Sequence, residues 1–216
     1  MITLALDTCL SACSAAVLRD GDLLSSRVEV MMRGHQERLA GLVSEVLAEA
    51  GVAFSDLGRI AVTVGPGSFT GLRVGLAFAK GLGAALGLPV IGIGTLEAMG
   101  APLAGEPGLV AVVLEAKRGQ VYFQAFEKGQ ALTAPAGLNI DAAGALLVEL
   151  SRTGAVTLVG SGTDHLSALT PSARVVKSDQ VDPGCVARLA AARAPTPPRP
   201  LYLRAPDAKL PGGIDP

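Results

Sequence analysis

Five glycines and one proline punctuate the stretch from Gly65 to Leu82, GPGSFTGLRVGLAFAKGL, and no other segment limits the fold as tightly. The run before it, Ile60 to Val64, is mostly apolar and mostly β-branched. Gly65-Pro66-Gly67 ends that run, because neither a strand nor a helix crosses such a triplet easily. Ser68 or Thr70 can then cap a helix that reaches about Leu86. The unit is strand, glycine turn, helix N-terminus. Gly65 and Gly67 let the backbone turn sharply and approach another group closely, and the free N–H groups of a helix start favour an anion. Two familiar motifs fail on direct comparison. Walker A spaces its glycines more widely than Gly67 and Gly71 and continues with Lys-Ser/Thr, where this chain has Leu72-Arg73. A nucleophile elbow flanks its serine with glycines, and around Ser68 those positions hold Pro66 and Thr70.

Inside the helix, Gly71, Gly75, Ala79 and Gly83 recur every fourth position and form one ridge. An interior glycine costs about 1 kcal/mol relative to alanine, so several on one ridge imply that another backbone comes very close. That backbone belongs either to the chain's own sheet or to a helix of a partner chain. Both readings stand at the level of sequence.

The rest of the first half supplies the neighbours of this unit. Ile2 to Leu6, Ser14 to Leu18 and Leu23 to Val30 read as strands, the last two joined by the hairpin signal Asp20-Gly21-Asp22. Leu39, Leu42, Val43, Val46 and Leu47 fall at helical spacing before Gly51, which suits a C-cap. Pro89 to Ile93 is a short strand and Leu96 to Leu103 a short helix, giving the order β-β-β-α-β-α-β-α. A second unit opens near Glu106-Pro107-Gly108. It holds strands at 109–114 and 120–126 about an Arg118-Gly119 turn, a strand at 156–159, and helices at 142–150 and 185–194. Residues 127–140 and 195–200 read as loops, and the tail after Pro206 as poorly ordered. The division expected is 1–105 and 106–216, with the last helix and tail able to pack back on the first half.

Composition narrows the function. Half of the 216 residues are hydrophobic and 17% are charged, which excludes intrinsic disorder. With 18 basic and 19 acidic residues the chain lacks the basic excess that gripping RNA by its own surface requires. The odd count of three cysteines, without a CxxC pair, points to a reduced cytoplasmic setting. No secretory leader is read at the start, and the apolar run 72–86 is too short to span a bilayer. No metal site is expected: the two histidines, His35 and His165, are far apart and HExxH is absent. Cys9 and Cys13 read as small buried thiols. Asp7 is the one acid to weigh, and its residue type suits capping of the turn that follows it. His35, at a helix start where the dipole disfavours charge, reads as a packing or hydrogen-bonding residue.

GPGSFTGLRVG, preceded by the helix that begins near His35 and by the opening LALDT, resembles the TsaB (YeaZ) family. The segment 114–122, LEAKRGQVY, and Leu201-Tyr202-Leu203-Arg204 match as well, so the resemblance covers almost the whole chain. Cys9, Gln36 and Glu115 stand where the family commonly has Ser, Ser and Asp. The resemblance implies an α/β ASKHA-type fold of two RNase H-like lobes, as in actin and sugar kinases. It implies a non-catalytic subunit required for threonylcarbamoyl-adenosine, made next to the anticodon of ANN-decoding tRNAs. The partners implied are a TsaD-like catalytic subunit, a TsaE-like ATPase, and a second copy of the chain where TsaD is absent. tRNA is reached only through the complex, with no cofactor and no membrane.

In TsaB-like proteins the first-lobe helices bind TsaD. Carried onto this chain, that contact comprises His35, Leu39, Leu42 and Val46 on one helix and Leu72, Arg73, Gly75, Leu76, Ala79, Leu82 and Gly83 on the other. The candidate nucleotide- or anion-facing set is Asp7, Thr8, Gly65, Gly67, Ser68 and Thr70. The metal-binding histidines of TsaD-like enzymes align with Thr95 and Met99, neither suited to a hard iron or zinc site. The alternative is a degenerate enzyme of the same fold, a peptidase acting on TsaD or a small-molecule phosphotransferase.

Overall fold

The computed structural model of the chain describes residues 1–151 and 154–204; the expectation of a poorly ordered tail after Pro206 lies outside them. Strands β1 (Ile2–Asp7), β2 (Ala12–Arg19) and β3 (Asp22–Val30) run antiparallel to their neighbours in turn. Asp20 and Gly21, at φ 52° and 100°, make the tight turn between β2 and β3 that Asp-Gly favours. Helix α1 (His35–Ala50) closes on Gly51 in the left-handed region, φ 62°. Strand β4 (Leu57–Thr63) lies parallel to β1, and after helix α2 (Phe69–Leu86) strand β5 (Val90–Ile93) lies parallel to β4. The resulting sheet has the order β3-β2-β1-β4-β5.

Both faces of this sheet are buried. Leu4, Leu6 and Val17 point to one side, where α1 and α2 cover them with Leu39, Leu42, Val46, Leu72 and Leu76. Ala5, Ala16, Ile91 and Ile93 point to the other, against helix α3 (Thr95–Gly100) and helix α5 (Pro183–Ala191). The small side chains of β2 allow this double covering: Ala12, Cys13, Ser14, Ala15 and Ala16 are all fully buried. Helix α5 comes from the end of the chain yet packs on β1, β2, β4 and β5. Asp182 caps it through Gly184 N–H at 2.8 Å, and Arg59 of β4 donates to Ala190 O at 2.7 Å, a cation placed at the helix C-terminus.

The second sheet, β11-β10-β6-β7-β8, is built from β6 (Leu109–Ala116), β7 (Gln120–Glu127), β8 (Gln130–Ala131), β10 (Val156–Val159) and β11 (Arg174–Val176). Strand β9 (Ala136–Asn139) pairs with β7, and helix α4 (Ile140–Leu150) covers the outer face through Ala143 and Leu147. Val110, Val112, Leu114 and Phe126 turn inward and meet Leu96 and Met99 of α3. The chain thus adopts the two-lobed α/β ASKHA-type arrangement, a mixed sheet with packed helices in each lobe. Residues 127–140 depart from the expected loop. They hold β8 and β9, short strands whose hydrogen bonds come from β7 rather than from any apolar alternation of their own.

Candidate functional site

Ser68 caps α2, its Oγ accepting from Gly71 N–H at 3.2 Å. Ahead of it, Gly65 takes φ 100°, open to glycine and few others. The turn is clamped on every side. Ser68 N–H donates to Cys9 O at 2.7 Å, Thr95 N–H to Gly65 O at 2.8 Å, and Leu201 N–H to Val64 O at 2.7 Å. Thr8 Oγ1 donates to Gly71 O at 2.7 Å.

These contacts decide which way the ridge faces. A Cβ on Gly71 would lie 1.9 Å from Thr8 O, one on Gly75 2.5 Å from Thr8 Oγ1, and one on Gly83 2.5 Å from Val90 Cγ2. Gly67 likewise has Cys9 O 2.2 Å from where its Cβ would be. The close backbone is therefore the chain's own β1–β2 turn and sheet. Most of the residues assigned to the partner contact therefore face inward. Gly75, Ala79 and Gly83 lie against the sheet, and Leu39, Leu42, Val46, Leu72 and Leu76 fill the core beside them. His35 is also buried, with Nε2 unpartnered. Of the residues assigned to the contact, Arg73 is exposed and Leu82 half-buried.

The anion-facing set divides in the same way. Asp7 and Thr8 are buried, Gly65 is buried, Gly67 is half-buried, and Ser68 and Thr70 are exposed. Asp7 Oδ1 accepts from Thr63 Oγ1 at 2.6 Å and from Cys9 N–H at 3.1 Å, which is the turn-capping role. Its Oδ2 is buried without a partner. Burial pushes the Asp7 carboxyl up to about 6 against the pull of these hydrogen bonds. Burial, with the Asp7 charge adding to it, pushes the Cys9 thiol up to about 12, so this thiol is inert at neutral pH. A sealed acid beside a filled glycine turn does not fit a nucleotide phosphate or its cation. Thr95, the first residue of α3, and Met99, near its end, are both buried, Met99 in the core between the sheets. Among the described residues, no group of three or more His, Cys, Asp or Glu converges, and His165 lies on the surface.

The surface left open is the outer side of the two helices. With Leu39, Leu42, Val43 and Val46 turned inward, α1 presents Ala40, Gly41, Ser44 and Ala48 to solvent; α2 presents Ala77, Gly81 and Ala84. A Cβ on Gly81 would meet nothing within 4 Å. Charge and aromatic groups border these small residues. Arg38 binds Glu29 at 2.6 Å and Glu45 at 2.7 Å. At the start of α2, the Arg73 guanidinium lies 3.7 Å from the Phe69 ring centre and donates from Nε to Tyr202 Oη at 3.2 Å, while the Phe69 and Tyr202 rings stand 5.3 Å apart. The sequence reading missed the small outer residues by following only the apolar face. The helical period that buries Leu39 and Leu42 also turns Ala40 and Gly41 outward.

The family model of TsaD, tRNA N6-adenosine threonylcarbamoyltransferase, matches residues 27–192. An uncharacterized protein of Mycobacterium tuberculosis is 38% identical over 211 residues, which are 95% of this chain and 93% of that protein. The tRNA threonylcarbamoyladenosine biosynthesis protein TsaB of Escherichia coli is 34% identical over 132 residues, 60% of this chain and 57% of that relative. The solved structure of YeaZ from Pseudomonas aeruginosa superposes with a TM-score of 0.70 at 30% identity, over 88% of this chain and 90% of that one.

Proposed function

Since this chain belongs to the TsaB (YeaZ) family, we propose that it is a non-catalytic subunit in the biosynthesis of threonylcarbamoyladenosine in tRNA, and that it docks a TsaD-like catalytic subunit on the outer faces of α1 and α2. The observation that carries the docking site is the exposure of Ala40, Gly41, Ser44 and Ala48 on α1 and of Ala77, Gly81 and Ala84 on α2, two helices that touch. Small outward residues let another helix approach closely. Exposed alanines and glycines also lose almost no side-chain entropy on being covered. Arg73, with Phe69 and Tyr202, forms the border of the face at the start of α2.

The non-catalytic reading rests on Asp7. It is the acid at the end of β1, the position at which enzymes of this fold place a metal- or phosphate-facing carboxylate, and here it is fully buried and spent on Thr63 and the Cys9 amide. Neither a peptidase nor a phosphotransferase is supported by such a group. The balanced charge, 18 basic against 19 acidic residues, supports tRNA being held by the complex rather than by this chain. A TsaE-like ATPase completes the assembly in this reading.

The test is co-purification with a TsaD-like subunit. Gly81→Arg places a long charged side chain on the open face without touching the core. It should abolish the complex without lowering the melting temperature, which the loss of an interior helix glycine should raise slightly. A Gly81→Arg variant that still binds the TsaD-like subunit would remove the face from this role. Steady ATP or peptide turnover by the chain alone would refute the non-catalytic assignment.

A further inference from the structure

Two sequence motifs meet at the start of α2: Arg73 comes from GPGSFTGLRVG, and Tyr202 from Leu201-Tyr202-Leu203-Arg204, 129 residues further along. The chain end reaches this place because it is tied to the first lobe on the way. Arg193 donates from Nη1 to Gly92 O at 3.1 Å, Pro198 packs on Gly92, and Leu201 N–H donates to Val64 O at 2.7 Å. Tyr202 then lies beside Phe69, their ring centres 5.3 Å apart, and its Oη accepts from Arg73 Nε at 3.2 Å. The Arg73 guanidinium carbon stands 3.7 Å from the centre of the Phe69 ring.

The core does not use these three side chains. Arg73 is exposed, and Phe69 and Tyr202 are 40% and 44% exposed. An arginine on a helix surface ordinarily samples many rotamers, and holding it in one costs entropy. Here the chain holds it already: Phe69 sets the plane of the guanidinium and Tyr202 takes its Nε edge. Among the described residues, the Nη1 and Nη2 edge has no hydrogen bond or ion pair. A planar fork of this kind matches the two oxygens of a carboxylate.

The place of Arg73 on the helix says where the carboxylate comes from. Arg73 shares the outer side of α2 with Ala77, Lys80, Gly81 and Ala84, the side assigned above to docking. Arg73 and Lys80 are the two charged residues of α2, and among the described residues neither pairs with an acid. On α1, by contrast, Glu45 and Glu49 are matched by Arg27 and Arg38 of the same chain. The face thus offers two unmatched positive charges, about 10 Å apart along the helix. Small residues lie between them, which suits a close-packed helix bearing acids. A phosphate backbone would call for a basic excess, and the chain has 18 basic against 19 acidic residues.

We infer that Arg73, clamped by Phe69 and Tyr202, is a preformed receptor for a carboxylate of the docked TsaD-like subunit, with Lys80 as a second cationic contact two turns along α2. This rests on the docking face proposed above. It adds the chemistry of the partner and gives the end of the chain a positioning role, exerted through Arg73.

Titration calorimetry against the TsaD-like subunit is the test. Arg73→Gln should bind about tenfold more weakly than wild type, the loss of a charge-assisted contact, and Arg73→Glu more weakly still. Arg73→Lys keeps the charge without the fork and should fall between wild type and Arg73→Gln. Added salt should weaken wild type more steeply than Arg73→Gln. Tyr202→Phe keeps the ring beside Phe69 and loses only the hydroxyl. It should weaken wild type about threefold and change Arg73→Gln no further. Circular dichroism should show every variant folded, since the altered side chains are exposed. Gly81→Arg separates this inference from the docking face. If Gly81→Arg loses binding while Arg73→Gln binds like wild type, the face stands and the inference falls. If Gly81→Arg itself binds like wild type, face and inference fall together. Equal salt dependence in wild type and Arg73→Gln, or a Tyr202→Phe effect that persists in Arg73→Gln, would also overturn it. So would an Arg73→Gln variant that binds the subunit fully but whose complex retains less tRNA, because the acceptor would then be a phosphate.

Discussion

Asp7 owes its state to what surrounds it. In the unfolded chain its carboxyl titrates near 3.8, and in the folded chain burial holds it neutral up to about 6. Between those values the folded state binds more protons than the unfolded state, so this residue's stabilisation is complete at low pH and is lost as pH rises through 6. The whole effect is about 3 kcal/mol. Asp7→Asn keeps an oxygen for Thr63 and the Cys9 amide but has no proton to lose. Its stability relative to wild type should therefore climb between pH 4 and pH 7, as read by urea unfolding at several pH values. Parallel pH profiles for the two proteins would show that Asp7 does not titrate in this range.

Helix α2 carries glycines with two different duties, and substitution separates them. Gly75 has Thr8 Oγ1 2.5 Å from where a Cβ would sit, so Gly75→Leu should unfold the chain rather than spare the fold and block association. Gly71→Ala meets Thr8 O at 1.9 Å and should cost about 3 kcal/mol by forcing helix and turn apart. Gly81 faces open space, so Gly81→Ala should stabilise the chain by about 1 kcal/mol, the ordinary gain of alanine over glycine in a helix. Thermal melts of the three variants, run side by side, check the orientation of the whole helix. Spacing in the sequence located the ridge and its close approach correctly. It did not say which backbone approached, because the repeat of Gly71, Gly75, Ala79 and Gly83 is the same whether the neighbour is a sheet or another chain.

The two lobes share a core at the scale of the whole molecule. Ala5, Ala16, Ile91 and Ile93 of the first sheet are covered by α3, by α5 from the end of the chain, and through them by Val110, Val112 and Phe126 of the second. Residues 1–105 expressed alone would leave that face bare. The fragment should show no cooperative unfolding transition by circular dichroism, and an exposed patch of this kind should make it aggregate. A fragment that melts as sharply as the full chain would mean that the first lobe needs neither α5 nor the second sheet.

What the sequence determined by itself is local: the Asp20-Gly21 hairpin, the Gly51 cap, the strand, glycine turn and helix from Ile60 to Leu86, and a cap at Ser68 or Thr70, which the structure gives to Ser68. Each depends on residues within a few positions of one another, where backbone freedom and periodicity act directly. The family resemblance, carried by GPGSFTGLRVG, also came from sequence. Tertiary structure alone decided the rest. It turned the glycine ridge onto Thr8, closed the space around Asp7, and laid α5 across a sheet more than 100 residues earlier in the chain. It also made β8, β9 and β11 strands through hydrogen bonds supplied by β7 and β10. The reason is the same in every case. A residue's side chain sets how closely something can approach it, but what does approach is set by segments far away in the sequence.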